Sequence, residues 1–561
     1  MPHDAFAPGP PHPARVWAPT AADSLALALR GLPVAARALM VGIHPDDEDS
    51  ALLAEFALRH GVRTVYLSLT RGEGGQNRIG PETGAALGVL RTGELLAARR
   101  HDGAEQLLGP CIDFGYAKRA EDAFAHWGRE HVVATVVQAI REVRPDVVIS
   151  IWTGTTADGH GHHQACGIAT HAAFELASDA AAFPEQLQAG LALWQPRRLL
   201  VRVRDASRWA EGDVHIDVGR WDPLLGRSCF EVAMQGRSLH RCQNMGALRP
   251  KGAQHVTYRV VAGVPVAGRE GGTNPLANLP LRLDAWVQAL PGRDRERVLE
   301  ATETATRLLE EAWDTFHPQR PDATAPLLLN ALGTLRLAVQ RLNRPEQGAP
   351  QEPAPDLGAL RNRLQAQIQR VESAWTQACG IALDVLAPQP QVVAGETFEI
   401  EAELFIRGAV ATTLLSLQAH LQPGWQAELC EGPECPMHLP AGSTVTARFR
   451  VTVPEDEETA VSTTLLPWLR LPSHGDLYRF PGPLPSLASC APPLLTIEAM
   501  VQSDDLQIPI VAPVMYREAD PGFGEVRQPV RVVPAVTVDV APSLIVRPTS
   551  TTDAPVATVM L

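Results

Sequence analysis

Over about residues 36 to 265, short apolar, β-branched runs alternate with longer segments whose apolar residues recur every three or four positions. The runs at 39–43, 64–69, 146–152 and 198–203 are apolar on both faces and read as buried strands. Segments 46–60, 90–108, 130–143 and 164–178 read as helices. This alternation predicts a parallel sheet covered by helices on both faces, a Rossmann-like open α/β fold over residues 36–270 that follows an N-terminal extension at 1–35. From 280 to 380 the period is helical throughout, at 293–316, 325–342 and 357–379, with polar, proline-bearing connectors at 318–323 and 344–355. From 385 the period falls to two. Strands are expected at 391–405, 414–421, 444–453 and 462–471, and they suggest an immunoglobulin-like β-sandwich over 385–500. Residues 501–561 read as a C-terminal β segment, with strands at 536–540 and 544–546, either an incomplete domain or one that pairs elsewhere.

A length of 561 residues fits about three domains. With 45% hydrophobic and 20% charged residues the chain has an ordinary globular composition. The net charge of −14 argues against binding nucleic acid or an anionic membrane through a polybasic surface. Lys118 and Lys251 are the only lysines. No run approaches the roughly 18 to 20 apolar residues of a membrane span, and Met1 to Pro19 lack a basic-then-apolar signal pattern, so a cytoplasmic enzyme is expected, with an extracellular location left open by the expected β-sandwich. The eight cysteines are scattered; only Cys430 and Cys435 are close in sequence, and both read as free thiols.

The densest chemistry follows the first strand, where His44-Pro45-Asp46-Asp47-Glu48 stands at a strand's carboxyl end, the edge where open α/β sheets bind ligands. An imidazole and a carboxylate from this run can bind one divalent metal and leave a second carboxylate over. A third ligand is available after the fourth predicted strand, where His160, His162 and His163 lie on a glycine-rich loop. Taken singly, the acidic run is an ordinary helix start and a lone histidine is an ordinary packed residue. Two such clusters at strand ends of one sheet make those plain readings weak. Serine-hydrolase, dinucleotide and P-loop signatures are absent, and neither Cys166 nor Cys242 sits in a recognisable Cys–His arrangement.

These residues resemble the zinc-dependent GlcNAc-phosphatidylinositol de-N-acetylase family (PIG-L/LmbE-like), which includes bacterial sugar and thiol-conjugate deacetylases. The likeness rests on the His44–Glu48 run, His160-x-x-His163, the run Thr70 to Asn77, Arg91-x-x-Glu94 and His240-x-x-Gln243. It implies one Zn²⁺ per chain held by His44, Asp47 and His163, with Fe²⁺ or another divalent ion as an alternative. It further implies Asp46 as general base, His160 beside the substrate carbonyl and Arg91 against the substrate. Glu73, Asn77, His240 and Gln243 are candidate substrate contacts. The expected partner is a small N-acyl amino sugar or glycoconjugate; homo-oligomerisation is left open.

The chain departs from the family pattern in three places. His162 stands inside the second motif and competes with His163 as ligand. Asp158 occupies the place where some members carry a tyrosine that polarises the carbonyl, and Ile43 precedes His44 where alanine is usual. Two other functions remain open at this stage: an amidase of sugar-linked thiol conjugates using the same residues, and a non-catalytic carbohydrate-binding protein with a degenerate enzyme domain.

Overall fold

A computed structural model describes residues 25–210, 213–266, 273–289, 293–343, 355–462, 464–536, 538–541 and 558–560. The expected extension up to residue 24, most of the connector at 344–355 and the strand expected at 544–546 lie outside the described residues.

Strands β1 (Arg37–Gly42), β2 (Arg63–Ser68), β3 (Glu105–Leu108), β4 (Val147–Ser150), β5 (Arg198–Arg202), β6 (Val214–Asp217) and β7 (His255–Gly263) form one sheet in the order β3-β2-β1-β4-β5-β7-β6. The first five are mutually parallel, whereas β7 runs antiparallel to both β5 and β6. The sheet is therefore mixed around a parallel core, a correction to the wholly parallel sheet expected. The helix expected at 90–108 is two elements. Helix α2 (Gly84–Asp102; α1 is Ser50–Ala54) ends at Gly103, whose φ of 74° closes it, and β3 follows at once.

Every residue of β1 is buried, and alternate side chains enter opposite layers. Leu39 and Val41 pack with α4 (Arg129–Val143) and α5 (Gly161–Leu176), α3 being Ala120–Trp127. Ala38 and Met40 pack with Leu52, Phe56 and Leu95, and with Ala233 of α6 (Cys229–Arg237). Two buried faces explain why these strands read as continuous apolar runs.

Helices α7 (Arg293–Asp314), α8 (Ala325–Asn343) and α9 (Pro355–Ala378) lie close to the expected helical spans. They dock at the amino-terminal edge of the sheet. Arg363 of α9 donates to both carboxylate oxygens of Asp146, just before β4, at 3.0 and 3.1 Å, and to the carbonyl of Ala35 at 2.6 Å. Arg370 donates to the carbonyls of Val34 and Gly31. This layer therefore leaves the carboxyl-terminal edge of the sheet open.

The C-terminal strands are β8 (Ile381–Ala387), β9 (Thr397–Ile406), β10 (Thr412–Leu421), β11 (Gln426–Glu431), β12 (Met437–Leu439), β13 (Thr444–Thr452), β14 (Leu495–Ser503), β15 (Leu506–Pro513), β16 (Met515–Asp520) and β17 (Gly524–Pro529). They make a six-stranded sheet, β11-β13-β9-β8-β16-β17, and a four-stranded one, β12-β10-β14-β15. Val385, Ile400, Phe449 and Val451 of the first share a core with Leu495 and Ile497 of the second. Of the strands beyond residue 500, β15 to β17 belong to these same two sheets, while Arg531–Val532 pairs with Gln391–Val392 and Asp539–Ala541 with Thr558–Met560 in separate two-stranded sheets. The strand expected at 462–471 is instead a bend with one 3₁₀ turn at Pro467–Leu469. A proline there removes a ladder donor, and the chain from 454 to 494 leaves the sheets to cross onto the α/β unit. Its Leu487 carbonyl accepts from the Leu108 amide at 2.9 Å, covering the free edge of β3.

Candidate metal centre and substrate cavity

The five parallel strands deliver their carboxyl ends to one cavity of about 690 Å³. Strand order reverses between β1 and β4, and the two histidine-bearing motifs stand on either side of that switch point. The loop after β1 carries His44 and Asp46–Asp49, and the loop after β4 with the first turn of α5 carries His160 and His163; all of these line the cavity.

Asp47 is fixed by donors. Its Oδ2 accepts the amides of Ile43 (3.0 Å) and His44 (2.9 Å) and the Trp152 indole N–H (3.2 Å), while Oδ1 faces His163 Nε2 at 3.7 Å. Burial opposes its ionisation, but His163, His44 and the hydrogen bonds outweigh burial and hold its pKa far below the usual carboxylate range. His163 stacks on Trp152 with ring centroids 3.6 Å apart, and its Nδ1 lies 3.2 Å from the Asp158 carbonyl. That contact assigns the proton to Nδ1 and leaves the Nε2 lone pair toward Asp47, the tautomer a ligand needs. His44, Asp47 and His163 each offer a ligand atom within 4.8 Å of the others, a donor set that fits a divalent transition metal with coordination positions to spare.

His44, His160 and His162 also cluster within that distance. His162, however, is fully buried against Phe114 and Trp127 and does not line the cavity. Its Nδ1 lies 3.1 Å from His44 Nε2. Burial, then the neighbouring imidazoles, push its pKa down to about 2, so it is neutral. His160 caps α5, accepting the His162 amide at Nδ1 (3.0 Å), so its proton sits on Nε2. Burial, with His44 and His163 nearby, lowers its pKa to about 4.

Asp46 has φ 125°, a backbone strain that its surroundings hold in place. Its amide donates to Glu48 Oε2 (3.0 Å), Arg237 donates to its carbonyl (3.1 Å), and Arg91 Nη2 reaches Oδ1 (3.3 Å). Burial raises the Asp46 pKa, and Arg91 opposes that rise. Arg91 is buried and also donates to the Gly72 carbonyl at 2.9 Å. A Cβ on Gly72 would stand 2.1 Å from its guanidinium, which requires glycine there. Glu94, one turn further along α2, accepts the Cys242 amide at 2.9 Å.

Gln243 lines the cavity. Arg91 lines it as well, whereas Glu73, Asn77 and His240 do not. Glu73 is turned inward and accepts the Asp113 amide at 3.0 Å, while Asn77 bonds Glu82 within its own loop. His240 is fully buried and bonded to Glu48 at 3.1 Å, where Arg99 also binds. Burial disfavours a charged Glu48, but Arg99 and His240 prevail and hold its pKa down to about 2. His240 and Glu48 thus support the Asp46 peptide from behind.

The sequence reading missed Asp113, whose oxygens lie 3.8 Å from His44 Nε2 and 3.7 Å from His162 Nδ1. Recognising Gly103 as a helix stop would have placed β3, and with it Asp113, at a fifth strand end. Tyr116, exposed on the cavity wall with its ring 5.1 Å from that of His160, was also missed, as were Arg202, Arg204 and Arg237. Among the described residues no helix is long and apolar enough to cross a membrane.

Fold and site together define an α/β domain with a histidine–carboxylate centre at its switch point. Residues 39–174 match the family model described as PIG-L: GlcNAc-PI de-N-acetylase. Two curated relatives share the name 1D-myo-inositol 2-acetamido-2-deoxy-alpha-D-glucopyranoside deacetylase. The one from Streptomyces griseus subsp. griseus is 33% identical over 172 residues, 27% of this chain and 52% of the relative. The one from Rhodococcus opacus is 34% identical over 195 residues, 31% of this chain and 64% of the relative. The chain thus spans between half and two thirds of the length of these relatives. Among solved structures, N,N'-diacetylchitobiose deacetylase from Pyrococcus horikoshii, complexed with its inhibitor MPG, matches at 17% identity and a TM-score of 0.29. That match covers 37% of this chain and 70% of the other.

Proposed function

We propose that this protein hydrolyses the N-acetyl group of an amino sugar or small glycoconjugate, with one zinc ion held by His44, Asp47 and His163. The observation that carries the reading is the meeting in one cavity of that ligand set with Asp46 and His160, neither of which belongs to it. The names of the two relatives support the substrate class. Zinc bound there supplies Lewis acidity toward the amide carbonyl and lowers the pKa of water. Asp46, held by Arg91, takes the proton of the attacking water and returns it to the leaving amine. His160, neutral with its proton on Nε2, donates to the carbonyl oxygen as negative charge develops there. The phenol of Tyr116 stands on the wall beside His160, where Asp158 supplies no hydroxyl. Asp158 instead closes its own loop, accepting the Thr153 and Gly154 amides.

Metal analysis of the purified chain, with amine release from N-acetylglucosamine conjugates assayed in parallel, tests this. Wild type is expected to hold about one zinc and to release amine. His163→Ala is expected to lower metal affinity by at least roughly 10- to 100-fold, the loss seen when even an outer-shell partner is removed. His162→Ala is expected to keep the metal. A wild type that takes up no divalent metal on loading would end the deacetylase reading, and metal loss in His162→Ala alone would move the ligand set to His44, His160 and His162.

A further inference from the structure

The segment 454–494 runs from the C-terminal sheets to the cavity loop that follows β2, and its contacts there are made by two aromatic residues. Arg71 on that loop is fully buried. Its Nη1 donates to the Gly109 carbonyl at 2.8 Å, while among the described residues Nε and Nη2 meet no hydrogen-bond acceptor. What the rest of the guanidinium meets is aromatic: its central carbon lies 4.0 Å from the Trp468 ring centroid and 5.2 Å from that of Tyr478. A desolvated cation over two aromatic faces is the arrangement in which such contacts are strongest. The Tyr478 phenol also stands beside the Glu73 carboxylate, two residues further along the loop. Backbone bonds hold the segment down on either side, from Tyr478 N–H to the Pro110 carbonyl at 2.8 Å and from Ile112 N–H to the Asp476 carbonyl at 2.9 Å.

Both anchored residues lead into the site in one step. Gly72, between them, offers its carbonyl to Arg91, which holds the Asp46 carboxylate. Glu73 accepts the amide of Asp113, whose carboxylate faces His44. Gly74 and Gly75, which follow, are cavity wall. We propose that Trp468 and Tyr478 are positioning residues for the deacetylase site, so that the C-terminal β unit is a working part of the cavity. This inference rests on the deacetylase reading for its catalytic consequence but not for its structural one. It assigns the sandwich a role that the α/β domain cannot fill alone, because among the described residues the aromatic partners of Arg71 come only from this segment.

The test uses the full-length chain with Tyr478→Phe, Trp468→Leu and, as a remote control on the exposed face of β13, Arg448→Ala. Hydrogen exchange of residues 70–77 and 109–116 is read together with metal content, KM and kcat. Tyr478→Phe keeps the ring over Arg71 and removes only the hydroxyl beside Glu73; it is expected to speed exchange of both segments and raise KM by roughly threefold, the weight of a weak polar contact. Trp468→Leu is expected to do the same by roughly thirtyfold. Metal content is expected to stay at the wild-type value in both, and the control to leave every readout unchanged. A lowered thermal midpoint with wild-type exchange and wild-type KM would make these contacts structural only and overturn the proposal. Should Trp468→Leu fail to fold, Tyr478→Phe decides by the same readouts. If the wild type releases no amine from any N-acetyl sugar, that failure belongs to the functional reading, and exchange still decides the coupling. Faster exchange confined to the two segments upholds it, and unchanged exchange overturns it.

Discussion

Asp46→Asn is expected to lower kcat by roughly 10²- to 10⁴-fold, the usual contribution of a general base, while metal content stays at the wild-type value. The separation of the two readouts follows from the geometry. His44, Asp47 and His163 form a cluster that could hold the metal, and Asp46 points to Arg91 beside it. Asparagine is the substitution of choice because φ at this position is 125°, where Asn and Asp are tolerated better than other side chains. It also keeps the amide bond to Glu48 and the carbonyl bond from Arg237, so the peptide stays in place and only the proton acceptor is lost. Steady-state kinetics and elemental analysis on the same preparation check this. Loss of metal together with activity would make Asp46 part of the metal set. Activity within tenfold of wild type would remove it as the base.

Arg363→Ala is expected to destabilise the folded chain by about 3–5 kcal/mol, the cost of stranding a buried carboxylate. Arg363 and Asp146 are each 1% exposed and share two hydrogen bonds, at 3.0 and 3.1 Å. With the guanidinium gone, Asp146 keeps the Arg37 amide at 2.9 Å and a distant Arg197 at 3.8 Å, too little to compensate a full charge there. The double variant Arg363→Met with Asp146→Leu is expected to recover most of the loss, because no charge is left without its partner. Denaturant unfolding of the three proteins measures both terms. A single-variant loss below about 1 kcal/mol would mean the carboxylate is satisfied without α9 and that the helical layer is held by its apolar contacts alone.

Much of the site was legible because its parts are local. The His44–Glu48 run needs only a preceding strand to reach the ligand edge, and both-face burial made that strand visible as an apolar run. The three helices from 293 to 378 were equally plain, since a helix writes its own period into the chain. Misses came where an element is short or its partners are distant in sequence. Four-residue β3 carries too little alternation to stand apart from the helix before it, so Asp113 stayed hidden. Strand β7 gains its partners only from β5 and β6, one of them more than 50 residues earlier. Glu73 and His240 were expected in the pocket because of where they fall in the chain. Which way a side chain turns depends on what it meets, and they meet Asp113 and Glu48.

The sequence by itself determined the alternation of strands and helices over 36–270, the helical layer, the β character of the C-terminal part and the two motifs of the centre. Those are properties of neighbours within about ten residues, where propensity and hydrophobic period act. Tertiary structure alone decided the rest. His160 and His163, three apart at the start of α5, both face the cavity, whereas His162 between them is turned into the core by Phe114 and Trp127. Arg91 joins Asp46 across 45 residues of chain, and Trp468 covers Arg71 across nearly 400. No local pattern encodes such pairings, because they form when separate layers bury their faces against one another and the buried charges must find partners there.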